Sequence, residues 1–376
     1  MSGAGRIGIV GAAGAVGRSA ARALAAVGLR ERLRLGGRRP AALAADGPGG
    51  RVETAPVDLD QPASLAAFCR GCRVVVGCTP AYLTGDRVAA AALAAGADYV
   101  DAGGDDELRE RLARHDPAAG GRTALLAAGA MPGVSGLLPR WLARRELDVP
   151  VALTGYAWTL DRITPGSAAD FLRSLGGAYG EAQAAWRAGM RVSHDLQPLH
   201  EVALPFFDGR VTAYPFLTTE MERLARTLRL REARWYNVFD APGQVLPALG
   251  RLQEALALGT ELDRAADELS RVAELDLFGR ARQQQLVVQL DGLAGGLPVS
   301  RTAVLRAAGT YELTGAMTAL AVDALLGRAA PAGVHFAADV LDPGLVESLR
   351  DAPGVVGLHV LDGSLDALAE VEQGVI

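Results

Sequence analysis

A short apolar run, Ile7-Gly8-Ile9-Val10, meets glycines at positions 11, 14 and 17, and helix-forming residues follow at once. The pattern predicts a buried strand, a tight turn and a helix reaching about Val27. Gly11 lets the chain turn off the strand. Gly14 leaves the backbone open to a closely approaching ligand, and Gly17 lets the helix pack near the sheet. The helix N-terminus then offers unpaired N–H groups and a positive dipole end to an anion such as a pyrophosphate. In this strand–turn–helix setting, Gly11, Ala13, Gly14, Ala15, Val16 and Gly17 are read as a dinucleotide-binding turn. The alternative is a tight strand–helix turn that binds nothing.

Further strands are expected at 31–37, 52–57, 73–78, 98–101 and 123–128, alternating with Ala/Leu-rich helical stretches. Strand–helix alternation through residue 145 predicts a Rossmann-type, doubly wound parallel sheet, an α/β fold. The residues just past each strand are the binding candidates, because such sheets hold ligands at the carboxyl ends of their strands. Arg38 and Arg39 follow the second strand, about 20 residues past the glycine turn, where an acidic residue would hold a ribose 2′-hydroxyl. Arginine there pairs instead with a 2′-phosphate, so NADP(H) is favoured over NAD(H). Asp58 and Leu59 follow the third strand; Asp58 faces an adenine amino group or braces the next helix near Ser64. Cys78, Thr79, Pro80 and Tyr82 follow the fourth, Asp101 and Gly103 the fifth, and Met131, Pro132 and Gly133 the sixth.

After Pro150 the pattern changes to longer alternating strands and hairpin signals. A strand is expected at 151–160, a helix at 166–187, hairpins at 202–214 and 285–307, and helices at 218–230 and 245–274. This predicts an inserted α+β domain with a mixed sheet. The expected organisation is a nucleotide domain over 1–145, a substrate domain over 146–309, and a return at 310–376 that packs on the first domain.

Composition limits the chemistry. The 376 residues include no Lys, so every basic side chain is Arg; Schiff-base lysines and lysine acids are excluded. A net charge of −5 without a long basic run argues against nucleic acid as partner. Cys69 and Cys72 form an isolated C-x-x-C with no second pair, so no metal site is expected. Few cysteines, an N-terminus that enters the first strand at once and the lack of a long apolar run point to a cytoplasmic protein off the membrane.

Taken together, Gly-Ala-Ala-Gly-Ala-Val-Gly, Gly-Gly-Arg-Arg-Pro, Cys-Thr-Pro-Ala-Tyr, Ala95–Asp101, Gly129–Val134 and Tyr311-Glu312-Leu313-Thr314-Gly315 resemble the saccharopine dehydrogenase-like oxidoreductases. The likeness is good over 5–145, loose between 150 and 300, and resumes at Tyr311. It implies that the sixth-strand loop lies near the nicotinamide and that the second sheet covers the crevice. It also implies a homodimer and a small-molecule substrate, with an imine as the favoured hydride acceptor.

Hydride transfer to a C=N carbon needs an oriented acceptor and excluded water; a nearby carboxylate stabilises the iminium charge. Asp101, at a strand end, is the candidate, unless it only bonds the backbone of the Gly103-Gly104 loop. His194, Tyr156 and Tyr311 are candidate proton donors, with His200 in the same polar stretch as His194. Trp158 is placed to stack on a cationic substrate and Arg162 to hold a carboxylate. Two other readings remain: reduction of another bond, such as a trans-acting enoyl-type C=C reduction, and a non-catalytic dinucleotide sensor.

Overall fold

The computed structural model describes residues 5–44, 52–175, 177 and 179–374. The chain divides into two units, 1–137 with 311–355, and 138–310 with 356–376.

In the first unit, β1 (Arg6–Val10), β2 (Arg32–Gly37), β3 (Val52–Pro56), β4 (Cys72–Gly77), β5 (Asp98–Asp101) and β6 (Thr123–Leu126) pair in the order β3-β2-β1-β4-β5-β6. Every neighbouring pair is parallel. This is the Rossmann order, with the strand sequence reversing direction beside β1. Val74, Val75 and Val76 are fully buried, as befits a parallel strand covered on both faces. Leu65, Phe68, Val88, Leu108 and Leu112, on the flanking helices, complete that core. Gly8 and Gly36 are glycines because the Phe68 ring lies against both backbones; a Cβ there would sit 2.9 and 2.7 Å from it.

The second unit carries a mixed ten-stranded sheet. Its strands are β7 (Val149–Leu160), β8 (Gly180–Ala182), β9 (Ala185–Arg187), β10 (Met190–Val192), β11 (Leu199–Val202), β12 (Arg210–Thr218), β13 (Glu232–Ala241), β14 (Gln283–Ala294) and β15 (Leu297–Ala307). To these the chain adds a late strand. Past the first-unit strand β16 (Gly333–Phe336), which pairs parallel to β6, β17 (Val355–Asp362) joins β15. The β14–β15 hairpin turns on Gly295 and Gly296, both at positive φ as a two-residue primed turn requires.

Three expectations are corrected. The helix expected over 166–187 spans only Pro165–Ser174. Gly180 then lies so close to β12 that a Cβ would meet Leu217 O at 2.3 Å. Pairing with Phe216–Thr218 draws the Ala-rich run beyond it into β8, so tertiary contacts override helix propensity. The first strand of the 202–214 hairpin ends at Val202, because Phe206 takes φ +72. The Phe206 carbonyl accepts from Gln285 Nε2 at 2.7 Å and Arg306 Nη2 at 3.3 Å. Finally, the return does not stay with the first unit to residue 376. Thr302 Oγ1 donates to Gly363 O and Leu365 N to Gln289 Oε1, which holds the tail on the second sheet.

Candidate functional site

The sequence-predicted cofactor residues gather at the carboxyl edge of the first sheet. The turn after β1 is fastened on both sides: Ala12 N donates to Gly36 O at 3.2 Å and Cys78 N to Val10 O at 3.0 Å. Gly11 has φ +81, and a Cβ there would sit 2.9 Å from Thr79 Cγ2. Gly17 is packed under the turn, where a Cβ would lie 2.3 Å from Gly11 O. Gly14 differs, since a Cβ there would meet only Gly11 O, at 3.3 Å. Protein packing therefore does not demand glycine at position 14, and the Ala13-Gly14 tip is exposed. Gly14 caps the helix Ala15–Val27 without any side-chain bond. The N–H groups of Ala15, Val16 and Gly17 then open that helix as an anion cradle that a dinucleotide pyrophosphate fits.

On the adenine half, Arg38 and Arg39 are exposed and hold no ion pair among the described residues. Arg34, on β2 itself, is fully engaged. Its Nε meets Glu53 Oε1 at 2.5 Å, and its Nη1 donates to Phe68 O at 2.6 Å and Arg70 O at 2.9 Å. Burial pushes the Glu53 carboxyl up, but Arg34 and Arg6 outweigh it and hold it below its ordinary value. Asp58 braces its own turn. Its Oδ1 accepts from Asp60 N and its Oδ2 from Gln61 Nε2, while its backbone N donates to Ser64 Oγ. Leu59 is half-buried beside it.

On the other half, Cys78, Thr79 and Pro80 run into the short helix Ala81–Thr84, with Tyr82 half-buried on it. Burial, with the Asp101 charge adding to it, pushes the Cys78 thiol far above its usual range. Burial, with Cys72 adding to it and Arg34 opposing, lifts the Cys69 thiol to about 12, and burial is likewise the leading reason that Cys72 is raised. Asp101 is 4% exposed. Its Oδ2 accepts from the Tyr99 hydroxyl at 2.5 Å, and its Oδ1 from Gly103 N at 3.0 Å. Desolvation, then the Asp101 charge, drives the Tyr99 hydroxyl well above its ordinary range, so it stays a donor. Gly103 O accepts in turn from Ala127 N, and Asp101 O from Ala128 N. The β5 and β6 loops are thus one hydrogen-bonded piece. Met131 stands 40% exposed at its tip, flanked by half-buried Pro132 and buried Gly133.

Of the candidates past residue 150, Tyr156 and Trp158 share one face of β7, with Trp158 packed against the cluster that holds Tyr156. Tyr156 is buried and stacked on Tyr236, centroids 5.0 Å apart, with Phe207 edge-on at 6.3 Å. Burial lifts its hydroxyl to about 12. Tyr311 is buried in the first turn of the helix Thr310–Leu326. His194 is exposed, 3.5 Å from Gln183 Oε1, and Arg162 is exposed past the end of β7. Trp158 Nε1 donates to Asp240 Oδ1 at 2.9 Å, and Arg280 pairs with the same carboxylate. Asp240 lines an open groove of about 360 Å³ with His200, Glu201, Thr212 and Pro242. Sequence reasoning did not single out Asp240, Tyr99 or the threonines of the helix Thr310–Leu326. Thr314 lies in the Tyr311–Gly315 stretch, and its four-residue spacing from Thr318 on one helix face was the available signal for the threonines.

A Rossmann-type nucleotide domain combined with a mixed-sheet domain sets the class of protein. Residues 7–131 match the family model of the saccharopine dehydrogenase NADP binding domain. Residues 7–131 thus form a domain of that family, and the chain is similar to the saccharopine dehydrogenases. Apo saccharopine dehydrogenase (L-Glu forming) from Saccharomyces cerevisiae has a similar structure. The two share 15% identity over 95% of this chain and 100% of that one, with a TM-score of 0.65, a likeness of fold. C. glutamicum DAP dehydrogenase in complex with DAP is 16% identical over 98% and 99% of the chains, at a TM-score of 0.45. An engineered D-amino acid dehydrogenase bound to NADP+ is 16% identical over the same shares, at 0.47. No curated protein matches the chain by sequence. Among the described residues, no helix is long and apolar enough to cross a membrane.

Proposed function

We propose that this protein is an NADP(H)-dependent oxidoreductase that reduces the C=N bond of a small imine derived from an amine or amino acid. The observation that carries the reading is the open cradle at Gly14 beside two exposed arginines with no ion pair among the described residues, all at the carboxyl edge of a Rossmann-ordered sheet. When bound, the nicotinamide supplies a hydride. Gly14 and the N–H groups of 15–17 hold the pyrophosphate, and Arg38 and Arg39 hold the 2′-phosphate. The β6 loop with Met131 borders the nicotinamide half and keeps water from it. Asp101 serves as a positioning residue that ties the β5 and β6 loops, and its negative field favours a cationic iminium. An acceptor that arrives already protonated needs no side chain to give up a proton, which suits a chain without lysine. We also propose that the protein works as a cytoplasmic homodimer, with Trp158 and Arg162 turned to substrate.

The test is NADPH oxidation with a panel of 2-oxo acids and aldehydes, each with and without a primary amine. Oxidation that requires the amine supports the reading. Oxidation by an enoyl thioester with no amine present would replace it with C=C reduction. NADPH binding without turnover on any substrate would favour a dinucleotide sensor.

A further inference from the structure

The helix Thr310–Leu326 is buried along most of its length in the first unit, and two of its threonines reach the β6 loop. Gly315 makes this possible: a Cβ there would lie 2.5 Å from the Ser19 carbonyl carbon, so the helix meets the backbone of the helix Ala15–Val27 directly. On that helix Thr314 Oγ1 accepts from Ala130 N at 3.2 Å. Thr318 Oγ1 lies 2.8 Å from both Ala128 O and Thr314 O and shares its single proton between them. The loop itself is drawn tight: Gly129 N donates to Pro132 O at 3.1 Å and Val134 N to Gly129 O at 2.9 Å. Cβ atoms at Gly129 and Gly133 would clash with Ala102 O at 2.4 Å and Gly129 O at 2.3 Å. The only large side chain this tight loop presents outward is Met131, since Ala130 is buried.

We infer that Thr314 and Thr318 are positioning residues for the nicotinamide half of the cofactor site, fixing the loop that aims Met131 at the ring. The inference rests on the dinucleotide reading above. In a sheet of this order the adenine half lies over β1–β3 and the nicotinamide half over β4–β6. The β6 loop therefore belongs to the second half, far along the edge from Arg38 and Arg39. A late segment of the chain thus sets ligand geometry in a domain whose binding motifs all lie before residue 134.

The test compares two ligands on the full-length protein: NADPH, and 2′,5′-ADP, which carries only the adenine half. Thr314→Val keeps the side-chain shape and removes the acceptor. NADPH affinity is expected to fall about 3- to 10-fold, the worth of one neutral hydrogen bond, with a shifted NADPH fluorescence spectrum. Affinity for 2′,5′-ADP is expected to hold within about twofold, and Thr314→Ser is expected to restore NADPH binding. If Thr314→Val does not fold, Thr318→Val takes the same measurements. Equal losses for both ligands, or no loss for either, would overturn the inference. Failure of the unmutated protein to bind NADPH, NADH and 2′,5′-ADP alike would overturn the dinucleotide reading and this inference with it.

Discussion

The Tyr99 hydroxyl donates to Asp101 Oδ2 at 2.5 Å, two residues along the same face of β5. The pair lies across the backbone of Gly77, where a Cβ would sit 2.1 Å from the tyrosine oxygen. Position 77 is glycine because this buried pair occupies the space. With its other oxygen on Gly103 N, the carboxylate is a brace between strand and loop.

Asp101→Asn and Tyr99→Phe are therefore expected to act alike. Tyr99→Phe removes the donor, and Asp101→Asn removes the charge and one of the two acceptor oxygens, so each disrupts this buried charge-assisted pair, with a stability loss of about 1.5–3 kcal/mol. Thermal melting should show the loss in both variants, and NADPH affinity should fall with it as the β5–β6 loops loosen. Asp101→Asn with unchanged melting and affinity, but a turnover barrier raised by about 2.7–4 kcal/mol, would put the carboxylate in contact with the reacting atoms.

The first domain was legible in the sequence because its signals are local. Each strand is a short apolar run and each loop follows it directly, so the strands and the parallel, doubly wound class were legible from pattern alone. The second domain was less so. Ala182, Trp186 and Arg187 read as helical residues, yet β8 and β9 are strands because of partners about 35 and 45 residues onward in β12 and β13. The role of Asp101 was left open between charge and brace for the same reason. Its partner Tyr99 is two residues away, but the space at Gly77 that admits the pair comes from another strand. Thr314 reaches a loop 184 residues earlier, and no local pattern announces that bond.

Gly14 and Gly17 should separate when each is replaced by alanine. At Gly14 the backbone has φ −73, which alanine adopts freely, and only Gly11 O is near. Gly14→Ala should change stability by no more than about 1 kcal/mol and still weaken NADPH binding strongly, because the methyl group stands where the pyrophosphate approaches. At Gly17 the methyl group would collide with backbone, and relief by side-chain motion is not available. Gly17→Ala should lose at least about 1–3 kcal/mol of stability. Equal melting of the two variants would refute this division of roles.

Arg34 and Glu53 give the first domain a measurable acid sensitivity. Glu53 titrates below its ordinary value of 4.5 in the folded chain. A lowered carboxylate contributes stability that is fully present above about pH 4.5 and is lost as pH falls through the folded value. Against Glu53→Gln, the unmutated protein should show a constant stability advantage from neutral pH to about pH 5, shrinking below it. A partly exposed pair keeps that advantage small and salt-sensitive. Urea midpoints across pH for both proteins test this, and an advantage that persists undiminished at low pH would show that the ion pair is not its source.

Arg38 and Arg39 are the proposed readers of the 2′-phosphate. Both are exposed at the end of β2, and neither is committed to an ion pair among the described residues, while Arg34 on the same strand is fully committed to structure. Replacing both with alanine should leave melting nearly unchanged. Each bond to a 2′-phosphate is charge-assisted, so the double variant should lose about 1.5–3 kcal/mol of NADPH binding per arginine. NADH has a 2′-hydroxyl in that place and should lose far less. Arg34→Ala is the contrasting control, since it removes a strut between β2, Glu53 and the end of the helix Pro62–Cys69, and should lower stability first. Titration of NADPH and NADH against the three proteins decides the matter: equal losses for the two cofactors in the double variant would show that these arginines attract any dinucleotide and do not read the 2′-phosphate.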